Sequence, residues 1–143
     1  FSVYGPAGRP DMSPFRFVQA IIENIPLTFY GKGTQQRDFT YVEDIVNGIV
    51  KGLKPLGYDI INLGSGKPIS LKNLVCKIES ITGNSAQICY SKTDQADTII
   101  THACIKKAYG KIDWEPKNEI DYGLKKCVEW YEDERSWLRQ LIT

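Results

Sequence analysis

The stretch Tyr30-Gly31-Lys32-Gly33-Thr34-Gln35-Gln36-Arg37-Asp38-Phe39-Thr40-Tyr41-Val42-Glu43-Asp44-Ile45-Val46 joins a glycine-rich loop, an arginine and a helix start in one unit. Gly31 and Gly33 permit backbone conformations and close approaches that a β-carbon would obstruct, and Arg37 presents a planar fork of donors suited to a pyrophosphate. The combination predicts an anion site. The same residues also fit a β-hairpin whose arginine pairs with Asp38 or Glu43. Thr40-Tyr41-Val42-Glu43 fits a capping box, and the helix after it places Ile45, Val46, Ile49, Val50 and Leu53 on one stripe. Glu43 and Asp44 then read as acids at a helix start rather than as catalytic carboxylates.

On the N-terminal side, Phe1–Tyr4 reads as extended, followed by a loop rich in glycine and proline. A helix is expected from Ser13-Pro14, where serine caps and proline fits the first turn, with Phe15, Val18, Ile21 and Ile22 on its apolar face. Pro26 ends it, and Leu27–Tyr30 reads as a strand. On the C-terminal side, Tyr58–Leu63 reads as a buried strand closed by Gly64-Ser65-Gly66, a tight turn rather than a phosphate loop because neither a third glycine nor Gly-Lys-Ser follows. Ser70 caps the next helix, Leu71, Leu74, Val75, Ile78 and Ile81 form its core face, and Gly83 stops it. A short strand over Ala86–Tyr90, a short helix over Ala103–Tyr109 and a long helix from about Asn118 complete the order. Ile120, Leu124, Val128, Tyr131 and Leu138 give that last helix its apolar stripe.

Composition is that of an ordinary globular domain: 143 residues, 42% hydrophobic and 24% charged, with 18 basic against 17 acidic side chains. A net charge of +1 without clustered cations argues against a nucleic-acid partner. No apolar run approaches the roughly 20 residues that span a bilayer, so the chain reads as cytoplasmic with no membrane partner. Cys76, Cys89, Cys104 and Cys127 lack a Cys-x-x-Cys spacing and His102 is the only histidine, so no metal site is expected and the thiols are expected to be reduced and mostly buried.

The segment from Tyr30 closely resembles the Gly-Asp-Gly-x-Gln-x-Arg-Asp-Phe-x-Tyr-Val-Asp-Asp block of extended short-chain dehydrogenases/reductases acting on nucleotide sugars, the NAD-dependent epimerase/dehydratase family. Phe1-Ser2-Val3-Tyr4-Gly5-Pro6-Ala7-Gly8-Arg9-Pro10-Asp11-Met12 resembles a narrower block, Phe-Thr-Val-Tyr-Gly-Pro-x-x-Arg-Pro-Asp-Met, of the UDP-glucuronate 4-epimerase branch. The similarity runs through nearly the whole chain and weakens beyond Lys92. It implies an α/β fold: the C-terminal part of an extended, Rossmann-type enzyme, with short strands and an amphipathic helical substrate-binding subdomain over residues 1–143. It also implies NAD chemistry on a UDP-sugar, in which C4 is oxidised, the 4-keto sugar turns, and hydride returns to the other face. The intact enzyme is expected to be a homodimer.

By the same resemblance, Thr28 and Tyr30 face the uracil and ribose, Arg37 the diphosphate, Arg9 and Arg16 the uronate, Asp97 the nucleotide, and Ser2 with Val3 the nicotinamide edge. The family's Gly-x-x-Gly-x-x-Gly fingerprint does not occur in this chain, and a Tyr-x-x-x-Lys spacing occurs only at Tyr122–Lys126 in the last predicted helix, whereas the resemblance places the family's pair ahead of Phe1. NAD is therefore expected to be held mainly by residues outside it, no catalytic residue is assigned within it, and the chain alone is expected to be inactive. Two departures stand out. Gln95-Ala96-Asp97-Thr98 replaces the frequent Pro-Gly-Asp-Val, which restricts the backbone carrying Asp97. Cys104 replaces an aspartate that would cap a helix. A UDP-glucuronate decarboxylase, a nucleotide-sugar dehydratase and a non-catalytic binding module fit the same clamp residues.

Overall fold

The computed structural model describes residues 1–55, 57–92, 98–138 and 140. Along the chain run β1 (Ser2–Tyr4), α1 (Ser13–Ile22), β2 (Leu27–Tyr30), β3 (Gln36–Arg37), β4 (Phe39–Tyr41), α2 (Val42–Gly52), β5 (Ile69–Ser70), α3 (Leu71–Thr82), β6 (Ile88–Ser91), α4 (Lys106–Ile112), α5 (Ile120–Asp133) and α6 (Arg135–Leu138). The strands form three two-stranded sheets. β1 runs parallel to β4 with Val3 opposite Thr40, β2 runs parallel to β6 with Phe29 opposite Tyr90, and β3 runs antiparallel to β5. Parallel partners need long crossovers, and α1 and α3 lie within those two connections. The hairpin expectation for residues 30–38 is thereby corrected, since β2 and β3 take different partners.

Three helices build the main core as their apolar periodicity predicts. Phe15, Val18 and Ile21 of α1, Leu74, Val75 and Ile78 of α3, and Leu124, Val128 and Tyr131 of α5 bury together with Leu27 and Phe29 of β2. Ser70 Oγ accepts from the Asn73 amide at 3.2 Å, and Gly83 ends α3 at φ +72, as read from the sequence. β1 meets α5 through Tyr4, whose hydroxyl donates to the Ile120 carbonyl at 3.2 Å. A β-carbon on Gly123 would stand 2.2 Å from that hydroxyl, so this contact requires glycine. Burial pushes the Tyr4 phenol pKa well up.

Elsewhere long-range contacts override local signals. Met12, not Ser13, is the N-cap of α1, and Tyr41 is the N-cap of α2, neither with a side-chain cap bond. Thr40 is buried in β4 and directs Oγ1 to Asp38 Oδ1 at 3.5 Å, so the expected capping box does not form. Tyr58–Leu63 forms no strand: it has no ladder partner among the described residues, and only Ile61 and Leu63 pack, against Ala108, Ile112 and Trp114. α4 begins three residues late because Ala103 is buried, with its amide committed to Asp38 Oδ2 at 2.8 Å. Of the four free cysteines only Cys127 is buried, which corrects the expectation for Cys76, Cys89 and Cys104. Burial pushes the Cys127 thiol up to about 12.

The largest departure is α2. Its inner face carries Asp44 and Gly48, while Val46, Ile49, Val50 and Leu53 are 53–78% exposed. Asp44 explains the rotation: its carboxylate accepts from the Lys117 and Asn118 amides at 3.0 and 3.1 Å and from Asn118 Nδ2 at 3.0 Å, and its carbonyl accepts from Trp114 Nε1 at 2.8 Å. Gly48 admits Leu63 and Trp114 where a β-carbon would lie within 3.0 Å of both. Docking by buried hydrogen bonds turns the apolar stripe outward, and exposed apolar faces drive association. Light scattering of the 143-residue chain should show mass rising with concentration, and V46K combined with I49K should abolish the rise without changing the circular dichroism. A monomer at every concentration would contradict this.

Candidate functional site

β2 alternates, with Leu27 and Phe29 buried and Thr28 and Tyr30 on the opposite face. Those two outward residues line a cleft of about 270 Å³ together with Arg16 of α1, Arg37 of β3 and Gln35. Four of the residues singled out in the sequence therefore converge. Among the described residues the lining contains two guanidiniums and no carboxylate, a composition that favours a multiply charged anion. Arg37 Nη1 donates to the carbonyls of Thr98 at 2.6 Å and Gln36 at 2.8 Å, which fixes one arm of the fork. The Arg16 amide donates to the Met12 carbonyl at 3.0 Å, but the Arg16 guanidinium makes no hydrogen bond or ion pair to another described residue.

The glycine loop serves this cleft indirectly. Gly33 sits at φ +67, and a β-carbon there would meet the Phe29 ring at 2.5 Å. Its close approach is to a core ring that also borders the cleft, not to an open ligand position. The first amides of α3 hold the loop: Leu71 N donates to the Gln35 carbonyl at 3.2 Å and Lys72 N to the Gly33 carbonyl at 3.1 Å. Gln35 Nε2 donates to the Tyr30 carbonyl at 3.2 Å. These bonds set Gln35, Tyr30 and Arg37 around one opening.

Asp38 points the other way. It is fully buried, and Oδ1 accepts from Ser65 N at 2.7 Å and Ser65 Oγ at 2.6 Å, while Oδ2 accepts from Gly66 N at 3.0 Å and Ala103 N at 2.8 Å. The Gly64–Gly66 turn is thus an anion cradle filled by the protein's own carboxylate. Sequence reasoning placed neither Asp38 nor Asp44 in these roles. The only available signal was a carboxylate beside aromatic strand residues.

Arg9, Ser2 and Val3 lie apart from the cleft. Arg9 is in an exposed loop with Nε donating to Asp11 Oδ1 at 3.0 Å and Nη2 paired with Oδ2. The guanidinium holds the Asp11 carboxyl below the usual carboxylate range. Val3 and Arg9 line a second, small cavity of about 20 Å³ with Phe15, Trp130 and Tyr131. Pro14 and Phe15 face this cavity while Ser13 and Arg16 face the cleft, so the first turn of α1 separates the two. Asp97 falls outside the described residues. Another arginine, Arg135, is committed to structure, donating from Nε at 2.8 Å and Nη2 at 3.1 Å to Glu23 and so tying α6 to the end of α1.

Among the described residues there is no group of three or more His, Cys, Asp or Glu that could hold a metal ion, and no helix long and apolar enough to cross a membrane. The described residues do not by themselves form a dinucleotide site. The Gly64-Ser65-Gly66 cradle is occupied by Asp38, and β1 offers the half-buried Ser2 hydroxyl and the exposed Val3 side chain.

Residues 1–64 match the family model described as NAD dependent epimerase/dehydratase family. The chain is 50% identical over 131 residues to a UDP-glucuronate 4-epimerase of Thermodesulfobacterium geofontis, covering 91% of this chain and 41% of the relative. Among solved structures it is similar to UDP-glucuronic acid 4-epimerase from Bacillus cereus in complex with UDP-glucuronic acid and NAD, with TM-score 0.87 and 34% identity over 94% of this chain and 44% of that one. It is also similar to MoeE5 in complex with UDP-glucuronic acid and NAD, with TM-score 0.90 and 30% identity over 94% of this chain and 46% of that one. The chain thus spans less than half the length of each of these proteins.

Proposed function

The chain belongs to the NAD dependent epimerase/dehydratase family, and from that premise we propose that it supplies the nucleotide-sugar clamp of a UDP-sugar 4-epimerase interconverting UDP-glucuronate and UDP-galacturonate. The observation that carries the proposal is the cleft holding Arg16 and Arg37, with no carboxylate among its described lining residues, beside a hydroxyl and an exposed aromatic ring. Arg37 grips the diphosphate, with one arm preset on the Thr98 carbonyl. Arg16, shared by the same cleft, reaches the diphosphate too rather than the uronate. Tyr30 gives the uracil a face to stack on and Thr28 hydrogen-bonds the nucleoside.

Epimerisation at C4 needs a nicotinamide to exchange hydride, and the residues present contribute at most the Ser2 and Val3 contacts to it. This chain's task is positional: the nucleotide end is held while the sugar end stays free to turn. Arg9, outside the nucleotide cleft and paired with Asp11, is the residue we assign to the sugar carboxylate, which exchanges with Asp11. Isothermal titration of the chain with uridine, UMP and UDP tests the clamp. Affinity should rise with each phosphate and the UDP affinity should fall with salt. Equal affinity for uridine and UDP would overturn the assignment.

A further inference from the structure

We propose that Asp38 is the positioning residue for Arg37, acting through the 98–103 segment; this rests on the reading of the cleft as a nucleotide diphosphate site. Arg37 and Asp38 are adjacent in sequence yet face opposite sides of the chain, one lining the cleft and the other buried against Ser65, Gly66 and Ala103. What links them is the segment from Thr98 to Ala103. It lies along residues 36–38 through four bonds: Gln36 N donates to the Ile99 carbonyl at 2.8 Å, Thr101 N to the Gln36 carbonyl at 3.1 Å, Asp38 N to Thr101 Oγ1 at 3.0 Å, and Ala103 N to Asp38 Oδ2. Its first residue supplies the carbonyl that takes Arg37 Nη1 at 2.6 Å.

Without a carboxylate at position 38, the Ala103 end of this strap loses its anchor, and so does the Gly64–Gly66 turn against which it lies. His102 reinforces the same junction, with Nε2 3.1 Å from the Gly66 carbonyl. A guanidinium whose acceptor drifts must be ordered by the ligand itself, which weakens binding of phosphates in particular. Asp38 thus joins three stretches of chain, residues 36–40, 64–66 and 101–103, and presets one arm of the Arg37 fork.

The test uses D38N, which keeps the shape but turns an amide toward backbone N–H groups that only donate, and the milder S65A, which removes one donor and leaves the backbone contacts. Arginine side-chain ¹⁵N relaxation should show Arg37 Nε ordered in the wild type and mobile in D38N, with S65A between them. UDP affinity should fall about tenfold in D38N and about two- to fivefold in S65A, while uridine affinity stays within about twofold. In an R37M background D38N should have no further effect on UDP. Unchanged Arg37 relaxation in both variants, equal losses for uridine and UDP, or additive effects of D38N and R37M would overturn the proposal. If the wild-type chain binds no UDP, the nucleotide reading falls, and the relaxation measurement still decides the role of Asp38.

Discussion

Arg37→Met should lower the affinity of the chain for UDP by about ten- to a hundredfold while leaving uridine unaffected. A hydrogen bond to a charged group contributes about 1.5–3 kcal/mol, and about 1.4 kcal/mol is one decade of affinity. Methionine keeps most of the aliphatic stem, so the packing beside Phe17 and Leu71 at the cleft wall is retained and the loss reports charge. Arg16→Met should fall in the same direction, because Arg16 stands in the same lining and no carboxylate among the described residues there competes for it. The salt dependence of UDP binding should flatten in either variant. Titration calorimetry at two ionic strengths reads both effects. A variant that lost uridine and UDP binding alike would show that Arg37 supports the fold of the 98–103 segment rather than the ligand.

Arg9→Met should remove a preference for UDP-glucuronate over UDP-glucose, by about ten- to a hundredfold, without changing the affinity for UDP itself. The sugar carboxylate presents two oxygens and a charge, whereas a neutral hexose presents a hydroxyl. The structure adds a condition that the sequence did not contain: the Arg9 fork is already engaged by Asp11, and a uronate must exchange with it. Both side chains are largely exposed, and exposed pairs hold each other weakly, so the exchange is easily made. Asp11→Asn should accordingly strengthen UDP-glucuronate binding relative to UDP-glucose. Competition titrations of the two sugars against each variant measure this. Equal losses for both sugars in Arg9→Met would place the residue in the loop's structure and remove the support for a uronate.

Much of the candidate site was legible before any fold was known, because it depends on residue chemistry carried by short segments. The alternation that exposes Thr28 and Tyr30 is a property of one strand, and the fork of Arg37 beside a turn is a property of one loop. Arg16 was singled out as well, but its neighbourhood with Arg37 was not: its helix position says that it is near the surface, not that β3 lines the same cleft. Asp38 was invisible for a related reason. Its four close donors, in Ser65, Gly66 and Ala103, lie 27 to 65 residues away.

The sequence by itself determined the elements whose energetics are local or periodic: the apolar faces of α1, α3 and α5, the Ser70 cap, the Gly83 stop and the strand character of Leu27–Tyr30. Side chains three and four residues apart meet on a helix whatever surrounds it, so such patterns survive into any fold that offers them a core. Tertiary structure alone decided where a local pattern had no such core or met a stronger distant partner. The apolar stripe of α2 turned outward because buried hydrogen bonds to Asp44 and the clearance at Gly48 fix the opposite face. Thr40 gave up its cap to a buried strand position facing Asp38, and Tyr58–Leu63 stayed out of any ladder because a strand is completed only by a neighbour. An unpaired buried carboxylate or amide is costly enough that its long-range partners outweigh the few tenths of a kcal/mol by which local propensities differ.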